Sequence, residues 1–121
     1  MKSFEDMEAW RMARQVVGAV YLLSRDQTMA RDFGLCGQLQ RAAVSMMSNI
    51  AEGFERIHLQ EKIQFYNVAR GSSAEMRSLL YVTEDNYPFL VQQAASLRKD
   101  VVSVGKLITG LIQSTQRRKN G

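Results

Sequence analysis

The sequence predicts an all-α protein, an antiparallel up-down four-helix bundle, and three observations carry that expectation. One proline, Pro88, occurs in 121 residues, and few stretches alternate apolar and polar residues as a half-buried strand does. Apolar residues recur instead at three- and four-residue steps in four long segments. In the last of them Leu90, Ala94, Leu97, Val101, Val104, Ile108, Leu111 and Thr115 alternate by four and three without a miss. Such a heptad seam belongs to helices that pack at a shallow angle. Four long helices with short connections form a bundle, and 121 residues suit one domain around one core.

The first segment runs from about 4 to 25, with Ser3 as its expected N-cap and Met7, Trp10, Ala13, Val17 and Val20/Tyr21 as its apolar stripe. DQTMARDFG then reads as a loop rich in turn formers. The second segment, about 35–57, carries Leu39, Ala42/Ala43, Met46, Asn49/Ile50 and Gly53 on one face. The third, about 59–86, runs through Phe65, Ala69, Ser72, Met76 and Leu79. Tyr87-Pro88 breaks the chain, because proline pushes its predecessor out of the α region. The fourth spans about 89–116, and 117–121 reads as a basic tail. Val102, Leu107 and Ile112 lie off the seam, and Leu80 and Tyr81 broaden the third face. A second apolar face fits contact between subunits, and a wide core stripe fits it equally.

Composition sets the class. Apolar residues make up 45% and charged residues 23%, an ordinary globular balance. No apolar run reaches membrane-spanning length, the N-terminus lacks a signal-peptide pattern, and the single Cys36 cannot form an internal disulfide. A cytoplasmic protein with no membrane contact is the expectation. The net charge of +4 is uneven. Residues 1–97 are nearly neutral, whereas Arg98, Lys99, Lys106, Arg117, Arg118 and Lys119 face only Asp100 in the remainder. A basic helix of this kind can hold a polyanion through its phosphates, by contact rather than base reading. Few aromatics interleave with these charges, so stacking on single strands is not suggested.

No catalytic or metal constellation assembles. Glu55-Arg-Ile-His58 has the Glu-x-x-His spacing of di-iron bundles, but such a site needs two motifs and the chain has one histidine. Helical ribonucleases that pair an arginine with a histidine about five residues later find Gly53, Glu52 and Ala51 at the relevant positions instead. Cys36 lacks a base, and no glycine loop is placed to cradle a phosphate. The expectation is a protein that is not an enzyme and carries no cofactor. A cluster of polar residues remains. Asn49 and Gly53 lie on the core stripe, Glu52 is one turn from Asn49, and Val68, Ser72, Glu75, Leu79 and Val82 share a face of the third segment. Antiparallel packing would bring Asn49 and Glu52 toward Ser72 and Glu75, with Gly53 and Gly71 allowing close approach. Buried carboxylates there would need Arg41, Arg70 or Arg77 as partners. A polar lock that sets register is preferred to a binding pocket. A small enzyme built on Asn49, Glu52 and Glu75 is the third option.

QLQRAAVSMMSNIAEGFER (38–56) followed by ARGSSAE (69–75) resembles the signature of the four-helix-bundle proteins related to the 23S rRNA intervening-sequence family. FEDMEAWRMA (4–13) also resembles that family's start, and Gly34-Leu35 matches the beginning of its second helix. Met47 departs from the proline that many relatives carry before NIAEG, which implies a straighter second helix. The resemblance covers nearly the whole chain. It implies a cytosolic bacterial bundle that assembles as a homopentamer around a central channel, of largely unknown molecular function and with no established enzymatic activity. A similar bundle is the accessory subunit of diversity-generating retroelements, which binds nucleic acid and a reverse transcriptase. The motif positions here are Asn49, Glu52, Gly53, Gly71, Ser72 and Glu75. Together these readings imply an oligomeric scaffold whose partner is RNA, DNA or a nucleic-acid-processing protein. The alternative is a protein-only assembly module with solvated charges.

Overall fold

In the computed structural model, which describes residues 2–121, the expected segments form four helices: α1 Glu8–Leu23, α2 Phe33–Glu55, α3 Leu59–Asn86 and α4 Val91–Asn120. Their ends follow local chemistry. Near the N-terminus Phe4–Asp6 make a single 3-10 turn, in which the Asp6 carboxylate accepts the backbone N–H groups of Lys2 and Ser3 at 3.1 and 3.3 Å. Met7 is then extended and buried, so α1 starts only at Glu8 and Ser3 caps the turn rather than the helix. That break resets the helical phase. Ala9, Ala13, Val16, Val20 and Leu23 face the core, while Trp10 and Val17 flank it and Tyr21 is exposed.

The second helix starts two residues earlier than expected. Asp32 accepts the Leu35 N–H at 3.1 Å and so caps α2. The preceding loop is held by Asp26, whose carboxylate accepts the N–H groups of Thr28 and Met29. This places Met29 fully inside the core, a residue the loop reading left outside. At its other end α2 stops at Glu55, because Arg56 is extended, and Ile57 is 87% exposed. Before α4, Pro88–Leu90 make a 3-10 turn. The largest difference is at the C-terminus: α4 continues to Asn120, so Arg117, Arg118 and Lys119 are helical and not a tail.

Antiparallel packing is visible in the cross-helix pairs. Glu84 meets Arg98, Ser73 approaches Gly105 and Gln60 bonds Lys119, so α3 and α4 run in opposite directions. Likewise Ser45 meets Ser72 and Gly53 abuts Tyr66 between α2 and α3. Each helix packs on its sequence neighbours, and α1 closes the bundle against α4. Contacts are most extensive around α3 and sparser around α1. At one end Tyr87 donates its hydroxyl to Asp32 at 2.9 Å, which ties the α3–α4 connection to the start of α2. That hydrogen bond, with burial, raises the Tyr87 pKa.

The core contains Leu39, Met46, Ile50, Met76, Leu80 and Ile108, all fully enclosed. The α4 seam is buried as expected as far as Ile108; there it drifts from Leu111, half-buried, to Ile112, buried. A straight helix of 3.6 residues per turn drifts this way from a heptad of 3.5. The off-seam residues Ile112 and Leu80 are thus core, and Val102 and Leu107 are partly covered. Large apolar residues left exposed are spread over every helix, with Leu22 on α1, Phe33 on α2, Val68 on α3 and Val91 on α4 among them. No helix among the described residues is long and apolar enough to cross a membrane.

Candidate functional site

The polar motif residues divide between two environments. Asn49, half-buried on α2, donates its amide to the backbone oxygen of Ser45 at 2.8 Å and to its hydroxyl at 3.2 Å. The Ser45 hydroxyl in turn shares a hydrogen bond of 2.8 Å with Ser72 on α3. The buried hydroxyls of Ser73, Thr83 and Thr115 all donate to carbonyls within their own helices. Ser72 instead bonds across helices, and that makes Asn49–Ser45–Ser72 a cross-link between α2 and α3. Ser45 was absent from the sequence-derived set, although its position one turn before Asn49 is the signal that could have found it.

The carboxylates do not join this cluster. Glu52 and Glu75 are both exposed, and Glu52 pairs with Arg56 one turn on at 3.0 Å. Ser45 opposite Ser72 and Gly53 opposite Tyr66 set the α2–α3 register. In that register Glu52 lies beside the level of Tyr66, about 14 Å along the axis from Glu75 at 1.5 Å per residue. The expected meeting of Glu52 with Glu75 therefore fails, and neither carboxylate recruits Arg41, Arg70 or Arg77. The glycines also separate. A Cβ on Gly53 would come within 2.5 Å of the Tyr66 ring, whereas one on Gly71 would meet nothing within 4 Å. Close approach occurs at the first and not at the second.

The α2–α3 corner is held by a lysine. Lys62 Nζ donates to the carbonyls of Phe54 and Gly53 at 2.6 and 3.3 Å, which satisfies open acceptors at the end of α2. Burial, and then the nearby Arg118 guanidinium, lower its pKa against the pull of Glu55. The end of α4 thus lies over this corner, where Lys119 also bonds Gln60. His58 is exposed just before α3. Among the described residues no group of three or more His, Cys, Asp and Glu is placed to hold a metal ion. Cys36 is buried and meets the Met29 carbonyl oxygen at 3.2 Å.

The six cations of the last helix are not equivalent. Arg98 makes two parallel hydrogen bonds to Glu84, at 2.9 and 3.0 Å, and its guanidinium sits 4.2 Å from the centre of the Tyr81 ring. Those bonds commit it to the α3–α4 contact, so it is not available as a phosphate ligand. They also hold the Glu84 carboxyl below its ordinary range, against the opposing effect of burial. A pKa lowered in the folded state adds stability that is complete above the unfolded value and is lost as pH falls through the lowered one. Thermal midpoints measured from about pH 6 down to pH 2 are expected to fall less steeply in Glu84→Gln than in the wild type.

Lys99, Lys106 and Arg117 are exposed and share one outward stripe of α4, about 27 Å long at helical rise. Beside Lys106 the stripe meets a groove of about 370 Å³ between α3 and α4. Arg70 and Arg77, seven residues apart on α3, line it with Lys106, and its floor includes Ser73, Gly105 and Val101. A Cβ on Gly105 would stand 3.3 Å from the Ser73 hydroxyl, so the glycine keeps this crossing tight. Among the described residues no carboxylate lines the groove. The expectation of a basic surface confined to α4 thus missed its α3 half. The larger groove between α1 and α4, about 780 Å³, mixes Arg25 with Asp26 and Asp100 beside Leu22 and Leu97.

A search of curated proteins returned no match. A family model described as 23S rRNA-intervening sequence protein matches residues 5–110, from the first 3-10 turn to two-thirds of the way along α4. With the four-helix fold and the joint NIAEG and GSSAE elements on adjoining helices, the chain belongs to the 23S rRNA-intervening sequence protein family.

Proposed function

We propose that this protein is a non-enzymatic, cytoplasmic helical-bundle scaffold that self-associates and holds nucleic acid by its phosphates along the α3–α4 groove. The observation that carries this reading is the acid-free groove, where Arg70, Arg77 and Lys106 converge beside the outward stripe of Lys99 and Arg117. A polyanion there releases counterions from several positions at once, with no carboxylate to oppose it. Its contacts fix a backbone and not a sequence, so RNA and DNA are both accepted. Arg117, Arg118 and Lys119 extend the positive surface past the α2–α3 corner. The non-enzymatic part rests on Asn49 being bound to Ser45 and on Glu52 and Glu75 facing solvent at different levels of the bundle.

Binding of mixed-sequence RNA and DNA fragments is expected to weaken steeply with salt. Replacing Arg70, Arg77 and Lys106 together by glutamine is expected to reduce the slope of log K against log salt by about 2–3, at roughly 0.7–0.9 per phosphate contact. Arg98→Gln is expected to leave the slope unchanged. Salt-independent binding, or a slope unmoved by the triple substitution, overturns the groove as the site. An assembled protein with no measurable polyanion affinity at physiological salt makes it the protein-only assembly module instead.

A further inference from the structure

The line of α3 that borders the α3–α4 groove does not end at Arg77. Arg70, Ala74, Arg77 and Tyr81 follow one another at steps of four, three and four, so they share one face of the helix. The first three line the groove with Lys106. Tyr81 stands one turn further on, about 6 Å along the axis at helical rise. It fills no core position, and 52% of it is accessible. The Arg98 guanidinium covers one face of its ring, 4.2 Å from the centre. That guanidinium is itself fixed by two hydrogen bonds to Glu84, at 2.9 and 3.0 Å. The aromatic plane is therefore backed by a cation that is tied in place, and the rest of the ring is left to solvent.

An aromatic plane at the end of a row of cations suits a single strand: phosphates lie on the charges and a base stacks on the ring. The charges of α4 have few aromatics among them, and the fold supplies one from α3. Ser73 lies opposite Gly105, so Lys106 falls between Arg70 and Arg77 in height, on the other wall of the groove. Past Tyr81 the face turns acidic at Asp85, and Glu84 is taken up by Arg98, so the basic line on α3 ends at the ring. We infer that Tyr81 is the base-stacking platform of the groove, and that the nucleic acid held there is single-stranded. The backbone runs past Arg70, Lys106 and Arg77, and a base lies flat on the Tyr81 ring. This rests on the groove reading of the proposed function and names the form of the strand. A duplex offers the same phosphates but keeps its base faces inside its own stack. Every base has a π-face, so the platform selects strandedness and not sequence. The sugar does not enter the contact, and RNA and DNA are both taken. Arg98 and Glu84 are positioning residues for the ring.

Fluorescence anisotropy on the full chain tests this, with circular dichroism to confirm that each variant is folded. The labelled probes have equal length: a mixed-sequence single strand as RNA and as DNA, an abasic strand, and the duplex. Tyr81→Ala is expected to weaken both single strands about tenfold at a fixed salt concentration. The slope of log K against log salt is expected to stay as in the wild type, because no phosphate contact is lost. Affinity for the abasic strand and for the duplex is expected not to change. Tyr81→Phe and Tyr81→Trp are expected to keep the wild-type affinity, because the ring is what binds. A wild type that binds none of the probes overturns the groove reading and this inference with it. Suppose instead that the slope falls on replacing Arg70, Arg77 and Lys106, while Tyr81→Ala leaves the single strands unaffected; the platform alone is then overturned. Equal losses on single strand, abasic strand and duplex make Tyr81 a structural residue and overturn it as well, as does a Tyr81→Phe that loses as much as Tyr81→Ala.

Discussion

Ile108→Ala is expected to destabilise the protein by about 2–5 kcal/mol, read as the shift of a urea or thermal unfolding transition. Ile108 is fully buried at the middle of the α4 seam. Truncation removes apolar surface from a position where the neighbouring helices are held apart by other side chains, so the space collapses only in part. Small domains are stable by about 5–15 kcal/mol in total, so this one change removes a large fraction. Ile57→Ala is the control. Its side chain is almost fully exposed past the end of α2, and its replacement is expected to stay within about 0.5 kcal/mol of the wild type. Equal losses at the two positions would mean that the core is not where α4 places it.

Gly53→Val is expected to cost about 2–3 kcal/mol or more in the same measurement. Glycine in a helix interior is ordinarily a loss of about 1 kcal/mol against alanine, so a substitution there should help. At Gly53 packing reverses the sign. The first added carbon would stand 2.5 and 2.7 Å from two atoms of the Tyr66 ring, and that ring is buried with nowhere to retreat. Valine adds two further carbons in the same place. Gly110→Ala gives the comparison: a Cβ there meets nothing within 4 Å, and a gain of about 0.5–1 kcal/mol is expected. Stabilisation by Gly53→Val would show that α2 and α3 do not approach as closely as the register requires.

These two glycines show what could and could not be read from the chain. Periodicity alone marked four helices and most of their buried faces, because the side chains that must leave water recur with the helical repeat. The α4 seam was legible almost residue by residue, and the NIAEG and GSSAE elements identified the family. Helix ends were less legible. Asp32 caps α2, whereas Ser3 caps only a 3-10 turn whose Asp6 carboxylate reaches back to the Ser3 N–H. Which donor each reaches depends on where the following apolar residue is pulled, as Met7 is pulled into the core.

The site was read less completely. Glu52 and Glu75 looked like partners of a buried cluster because each lies near residues that are buried. Whether they meet depends on the stagger between α2 and α3, which one helix's repeat cannot express. Ser45–Ser72 and Gly53–Tyr66 set that stagger, and it leaves both carboxylates in water. The same limit applies to the cations. Arg98 read as one of six similar charges until Glu84, fourteen residues earlier, was found beside it, while Arg70 and Arg77 gained Lys106 as a neighbour. The sequence by itself determined the fold class, the helical faces and the family, because those follow from local repeat and composition. The tertiary structure decided which charges pair, which stay open and which glycine is crowded, because those depend on distances between helices that no single helix encodes.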